Sequence, residues 1–144
     1  MNNPSMTMHV LQVEPLRYVA KTSTGKEIIA EPSGMLGGKE EYPNPMEYFI
    51  ASIGTCIAIK THINLIKTGK IPDKIGIEMK CTRSQIPPEI LKQIHMVITV
   101  TGDLDEIVVN RVIQETMTLS CPVNVMVSRI ARVTWEFMIK HPDI

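Results

Sequence analysis

The chain has few aromatic residues and no excess of charge of either sign. It contains one Trp, three Tyr and two Phe among 144 residues, whereas methionine occurs ten times. Fifteen basic residues balance fifteen acidic ones, so the formal net charge is zero. Proteins that bind nucleic acid usually carry a basic surface, and no basic stripe with interleaved aromatic residues occurs here. We therefore expect no nucleic-acid partner, and a core filled partly by flexible, unbranched side chains.

Motifs for metal binding and for secretion are also missing. The chain has no Cys-x-x-Cys and no His-x-x-x-His pattern, so it predicts no metal site. Its cysteines, Cys56, Cys81 and Cys121, are odd in number and widely spaced, unlike a secreted disulfide framework. The first ten residues have neither the charged start nor the apolar run of a signal peptide. We expect a soluble, cytoplasmic protein with no membrane partner and with reduced cysteines.

Length and hydrophobic patterning predict one domain over residues 1–144. Hydrophobic residues make up 44% of the chain, enough for a substantial core. Alternating and helical patterns predict elements in the order βββαββαβ. The expected segments are strands at 8–13, 17–22 and 27–30, a helix from 45 to about 68, strands at 74–82 and 92–101, a helix capped by Asp103, and a strand within 128–140. This order predicts an α+β fold with an antiparallel sheet.

The stretch Asn44–Lys60 is the most apolar part of the chain. It opens with Pro45, which is tolerated in the first turn of a helix, and it is almost free of polar residues from Tyr48 to Ile59. A helix that is apolar around most of its surface is buried. We take the run to be too short for a bilayer span, which needs about 20 residues. Cys56 lies near the middle of this helix, where a buried cysteine is often only a packing residue.

A second cysteine, Cys121, precedes Pro122 where the second helix ends or restarts. If the two helices pack together, the sulfurs of Cys56 and Cys121 can meet as a dithiol/disulfide pair. Chemistry of this kind needs one reactive thiolate and one resolving thiol. Cys81 alternates with apolar residues on the inward face of a strand, and we expect it only to pack.

Together these motifs resemble the OsmC/Ohr family of osmotically inducible and organic hydroperoxide resistance proteins. The order of strands and helices resembles the family over about the full chain, and Gly37-Gly38 fits as well. The resemblance implies an intertwined homodimer that reduces organic hydroperoxides in oxidative stress defence and needs no metal or organic cofactor. The matching segments are Asn44-Pro45-Met46-Glu47, Ile53-Gly54-Thr55-Cys56 and Leu119-Ser120-Cys121-Pro122-Val123.

The same resemblance assigns a role to each site residue. Cys56 attacks the peroxide and becomes a sulfenic acid, and Cys121 condenses with it to a disulfide. An external dithiol, which in the family can be a lipoyl group, then restores both thiols. Arg17 is the candidate for the arginine that holds the first cysteine as thiolate. Glu47, one residue later than the family position occupied here by Met46, is the candidate for the glutamate that orients this arginine.

Alternatives remain open at this level. Arg17 can be an ordinary surface residue, and Glu47 can simply favour the N-terminus of its helix through the helix dipole. The rival function is a non-catalytic protein of the same fold that binds a small molecule or senses thiol redox state. Met46, in place of the family glutamate, motivates that rival.

A homodimer is the first testable expectation. A chain this small would leave much of its apolar central helix exposed if it stood alone. Light scattering at micromolar concentration should therefore give about twice the mass of one chain. A monomer under those conditions would contradict the expectation.

Overall fold

The computed structural model describes residues 4–142 of the chain. Its internal contacts form two compact units, one up to Ala51 and one from Ser52 onward. Helix α1 (Pro45–Lys67) contributes residues to both units. The single domain expected over residues 1–144 stays a prediction.

The first unit is built on a three-stranded antiparallel sheet. Its strands are β1 (Met8–Glu14), β2 (Arg17–Thr22) and β3 (Glu27–Ala30), in the order β1-β2-β3. Gly25 turns the chain between β2 and β3 with φ +85°, a conformation that glycine adopts without strain. These strands confirm the three predicted ones to within a residue.

The loop that follows β3 doubles back on itself around two glycines. A short 3₁₀ turn at Gly34–Leu36 leads to Gly37, whose φ is +97°. At Gly38 an added Cβ would lie 1.8 Å from the carbonyl oxygen of Pro32, so only glycine fits without moving the backbone. The Gly37-Gly38 pair therefore allows this loop to close tightly.

Helix α1 begins and ends as its sequence predicts. The Asn44 side chain accepts a hydrogen bond from the Glu47 backbone N–H at 2.9 Å, and the Glu47 carboxylate accepts one from the Asn44 N–H at 3.2 Å. This reciprocal arrangement is a capping box. Lys67 is the last helical residue, and Gly69 follows with φ +86°, as expected for a helix stop.

Helix α1 is longer than the apolar run from which it was expected to be too short for a bilayer span. The apolar run alone is short, but the whole helix has 23 residues and a mean hydropathy of 1.5 in its most apolar window. By length and composition it is long and apolar enough to cross a bilayer. The core helix of a soluble protein passes the same test, so this property alone assigns no location.

The second unit contains a mixed three-stranded sheet. Its strands are β4 (Lys74–Arg83), β5 (Leu91–Thr101) and β6 (Arg132–Lys140). β4 and β5 pair antiparallel, whereas β5 and β6 pair parallel. The expected antiparallel sheet is thus wrong for the last pair, because the long helical connection from β5 returns the chain to the end of the sheet where β5 began. The α+β class is confirmed.

The connection between β5 and β6 is helical in three pieces. It comprises α2 (Glu106–Glu115), a π-helical turn at Thr116–Ser120 and α3 (Pro122–Val127). The expected cap Asp103 is wrong: Asp105 caps α2, accepting the N–H groups of Ile107 and Val108 at 2.8 and 3.2 Å. Turns after α3 delay β6 to Arg132, because the backbone there still bonds back to the helix.

The core of the second unit follows the predicted alternation of its strands. From Ile94 to Val100, every second residue of β5 is fully buried, and the residues of β4 and β6 that pair with them are half-buried. Helices α1 and α2 supply the other side of this core. Its fully buried apolar members include Ile53, Ile57, Leu65, Ile94, Met96, Ile98, Val100, Val109 and Ile113.

Candidate redox site

Cys56 is held at a turn of α1 that packs tightly against the sheet. Ile53 and Ile57 on the same helix are fully buried. Between them, an added Cβ at Gly54 would lie 2.7 Å from the Met79 Sδ on β4, so a larger side chain would push the helix away. Cys56 itself is half-buried, and its thiol is the more accessible member of the pair described next.

Cys121 lies at the N-terminus of α3 and is fully buried. Its Sγ–H donates a hydrogen bond to the Cys56 Sγ at 3.1 Å, and its Sγ accepts one from the Asn124 N–H at 3.4 Å. Pro122, which has no N–H to donate, follows as the first residue of α3. The structure thus brings together two sulfurs that are 65 positions apart in the chain.

The two sulfurs differ in their electrostatic surroundings. Burial, and then the hydrogen bond with Cys56, raise the pKa of Cys121 to about 11. At neutral pH Cys121 therefore keeps its proton and acts as the donor in the sulfur–sulfur contact. The half-buried Cys56 is the acceptor and the sulfur that a reagent can reach. This asymmetry suits a pair in which one sulfur reacts first and the other follows.

Arg17, in the first unit, is surrounded by three carboxylates. Its Nε and Nη2 donate to the Glu31 carboxylate at 3.2 and 3.0 Å, and Nη2 also donates to Glu41 at 2.6 Å. The Glu14 carboxylate lies 3.4 Å from Nη1. The guanidinium also stands 4.9 Å from the centre of the Tyr42 ring. Arg17 is therefore held in place by side chains of its own unit.

Glu31 is the buried member of this cluster, with 3% of its surface exposed. Burial alone would raise its pKa, but the backbone N–H groups of Glu41 and Tyr42 and the Arg17 guanidinium together hold the pKa of this carboxyl below its ordinary value. The same bonds tie the loop to the sheet, because Glu41 and Tyr42 donate to one Glu31 oxygen at 2.6 and 3.2 Å.

Glu47 does not occupy the place expected for it beside Arg17. Its carboxylate is used in the capping box of α1, while the carboxylate hydrogen-bonded to Arg17 from β3 is that of Glu31. The alternative weighed for Glu47, a helix N-terminal residue, describes its contacts better. The hairpin pattern could have identified Glu31, because the register that pairs Tyr18 with Ala30 also brings Arg17 and Glu31 to neighbouring positions across the hairpin.

Two other side chains that could carry chemistry, Cys81 and His95, make packing and hydrogen-bond contacts of a common kind. Cys81 packs half-buried against the core on β4, where burial raises its pKa. His95, on β5, shares a hydrogen bond of 2.8 Å with the Thr134 hydroxyl. Within residues 4–142, no group of three or more His, Cys, Asp and Glu side chains could hold a metal ion.

The comparison with protein-family models shows to which family this chain belongs. A family model described as OsmC-like protein matches residues 37–136. The chain belongs to the OsmC-like family. A search of curated proteins found no match.

Solved structures share this fold over nearly the whole chain. A hypothetical protein from Aquifex aeolicus VF5 is 23% identical, with a TM-score of 0.85 over 98% of this chain and 100% of its own. A protein from Psychrobacter arcticus, described as a putative osmotic stress induced and detoxification response protein, is 19% identical, with a TM-score of 0.81 over 95% of this chain and 98% of its own.

A third solved structure bears a more specific name. The organic hydroperoxide resistance protein OsmC from Legionella pneumophila is 13% identical, with a TM-score of 0.73 over 95% of this chain and 98% of its own. At these identities the likeness shows the fold alone.

The unequal surroundings of the two thiols predict selective alkylation. In the reduced protein at pH 8, iodoacetamide should modify Cys56 and spare Cys121, because Cys121 is buried and its pKa of about 11 leaves little thiolate. Labelling of Cys121 should rise steeply as the pH approaches 11. Peptide mass spectrometry measures both sites, and equal labelling of the two cysteines at pH 8 would contradict the prediction.

Proposed function

We propose that this protein is a thiol-dependent peroxidase that reduces organic hydroperoxides. The observation that carries the proposal is the 3.1 Å contact between the Cys121 and Cys56 sulfurs. Cys56 is half-buried and Cys121 is fully buried. A pair at this distance needs to approach by only about 1 Å to form a disulfide bond. Membership of the OsmC-like family supports the same chemistry.

The proposed cycle has three steps. The Cys56 thiolate attacks one peroxide oxygen, the O–O bond breaks, and the departing alkoxide takes a proton to become an alcohol. The sulfenic acid on Cys56 is then attacked by Cys121, which releases water and forms the disulfide. An external dithiol, for which a lipoyl group is the family's example, exchanges with this disulfide, becomes a disulfide itself and leaves both cysteines reduced.

The names of related structures support the substrate class. The Legionella pneumophila protein is named an organic hydroperoxide resistance protein, and its fold is shared by this chain. We extend that activity to this protein as part of the proposal. Turnover of cumene hydroperoxide with a dithiol reductant tests it directly. If the disulfide formed without turnover, the rival function, thiol redox sensing, would be the better description.

The proposal includes a second copy of the chain. The sheet of the first unit carries exposed apolar side chains in β1, where Val10, Leu11 and Val13 are each more than half exposed. An open cavity of about 590 Å³ on this unit is lined mainly by apolar residues, Tyr18 and Ile28 among them. Exposed apolar surface of this extent is typical of a surface that a partner covers.

The roles of the three cysteines give the central prediction. Cys56→Ser should remove peroxide consumption, because the attacking sulfur is lost. Cys121→Ser should still consume one equivalent, with the sulfenic acid on Cys56 accumulating or over-oxidising. Dimedone trapping with mass spectrometry detects that species. Cys81→Ser is the matched control and should keep its turnover; equal loss in all three variants would show that the cysteines matter only for packing.

A further prediction concerns the cation that activates Cys56. We propose Arg17 for this role, with Glu31 rather than Glu47 as the residue that orients it, because Glu31 accepts two hydrogen bonds from Arg17. Arg17→Met should slow alkylation of Cys56 by iodoacetamide near neutral pH, since a positive charge beside a thiol favours the reactive thiolate. Glu31→Gln should slow it less, and Glu47→Gln least.

The comparison requires variants whose circular dichroism and dimer state match the wild type. An Arg17→Met protein that reacts at the wild-type rate would show that the arginine has no part in activating the thiol. A Glu47→Gln variant slower than Glu31→Gln would return the orienting role to Glu47.

A further inference from the structure

We propose that Asn64 is a positioning residue for the closure of Cys121 onto Cys56, an inference that rests on the proposed function. Asn64 lies on α1 and is 7% exposed. Its Nδ2 donates hydrogen bonds to the Thr116 Oγ1 at 3.1 Å and to the Ser120 Oγ at 2.9 Å. Both acceptors belong to the π-helical turn that leads directly into Cys121.

These two contacts hold the turn at its first and last residues. The Cys121 N–H donates to the Thr116 carbonyl oxygen at 3.0 Å, the five-residue spacing of a π-helix. Ser120 is covalently attached to Cys121. Isolated π-helical turns are rare and occur often at functional sites. Asn64 therefore holds the segment whose shape sets the position of the Cys121 sulfur.

Helix α1 links this contact to the other sulfur. Cys56 and Asn64 are eight residues apart on one helix, about 12 Å along its axis. Because a continuous helix is stiff, fixing the turn to Asn64 also fixes it relative to Cys56. The Asn124 side chain also donates to the Met117 carbonyl oxygen at 2.7 Å, so side chains of two asparagines hold the turn.

The reaction makes the position of Cys121 critical. The sulfurs lie 3.1 Å apart and must approach to about 2.05 Å in the disulfide. A misplacement of about 1 Å can slow a reaction between positioned groups by about 100-fold. Loss of Asn64 should thus slow closure of the disulfide far more than the first reaction at Cys56.

An assay without peroxide isolates the closure step. In a Cys81→Ser background, the Cys56 thiolate attacks 4,4′-dithiodipyridine, forms a mixed disulfide and releases one thiopyridone. Cys121 then attacks the Cys56 sulfur of that mixed disulfide, forms the Cys56–Cys121 disulfide and releases the second thiopyridone. Stopped-flow absorbance separates the first release, which reports access to Cys56, from the second, which reports closure.

The variants remove the hydrogen bonds with little change in volume. Asn64→Leu keeps the approximate size and loses both donors. Ser120→Ala and Thr116→Val each remove one acceptor, while Ser120→Thr and Thr116→Ser restore a hydroxyl. Thr118→Val is the matched control, because the Thr118 hydroxyl lies in the same turn but donates to the Gln114 carbonyl oxygen at 2.7 Å instead.

We expect the second release to slow by about tenfold or more in Asn64→Leu, and the first to stay within about twofold of the parent. Ser120→Ala and Thr116→Val should slow the second release by less, with recovery in Ser120→Thr and Thr116→Ser. Thr118→Val should match the parent.

Two results would overturn the inference. One is a second release within about twofold of the parent in Asn64→Leu. The other is an equal slowing of both releases, which would indicate a general loss of packing. If Asn64→Leu does not fold, a second release at the parent rate in both Ser120→Ala and Thr116→Val overturns the inference equally. A lack of hydroperoxide turnover would refute the proposed function without altering these thiol measurements.

Discussion

The apolar face of helix α1 is buried against the core of the second unit, and the position of the cysteine pair depends on that contact. Ile53, Ile57 and Leu65 are fully buried on this face. Each such side chain contributes roughly 2 kcal/mol through removal of apolar surface from water. A hydrogen bond from a thiol is weaker than this, so the sulfur–sulfur contact follows from the packing of α1 and does not cause it. The close approach at Gly54 and Met79 shows how little room the helix has to move.

A polar residue on the same face adds direction to this packing. Asn64 is buried among the apolar residues of α1, where a polar group is costly unless it is hydrogen-bonded. The two hydrogen bonds that Asn64 donates form only when the π-helical turn lies at one position along the axis of α1. Apolar contacts alone tolerate small sliding movements, whereas directional bonds distinguish one register from another.

Sequence patterns predicted most elements because their signals are local. Alternation revealed β4, β5 and β6, and the Asn44-Pro45 start and Gly69 stop bounded α1. The parallel pairing of β6 was missed because it depends on how the helical crossover returns the chain, which no local pattern records. The cap at Asp105 was missed because Asp103 offered an equally good local signal.

The sequence likewise predicted only part of the candidate site. The meeting of Cys56 and Cys121 was expected from two motifs and their helices, and their sulfurs do lie in contact. The surroundings of Arg17 were assigned wrongly, since proximity in the motif favoured Glu47 while the hairpin register brought Glu31 beside it. Asn64 escaped notice because its partners, Thr116 and Ser120, are more than fifty positions away in the chain.

The cluster around Arg17 has a consequence for how ionic strength acts on the protein. Three carboxylates, including the exposed Glu14 and Glu41, pair with Arg17, and Glu14 also pairs with Lys39. Salt screens exposed pairs far more than buried ones, so added electrolyte weakens the outer contacts first. Glu31, shielded from solvent and bonded to the backbone, is the last to respond. The loop after β3 is thus anchored at two depths, and the outer anchor is the more sensitive to the salt content of its surroundings.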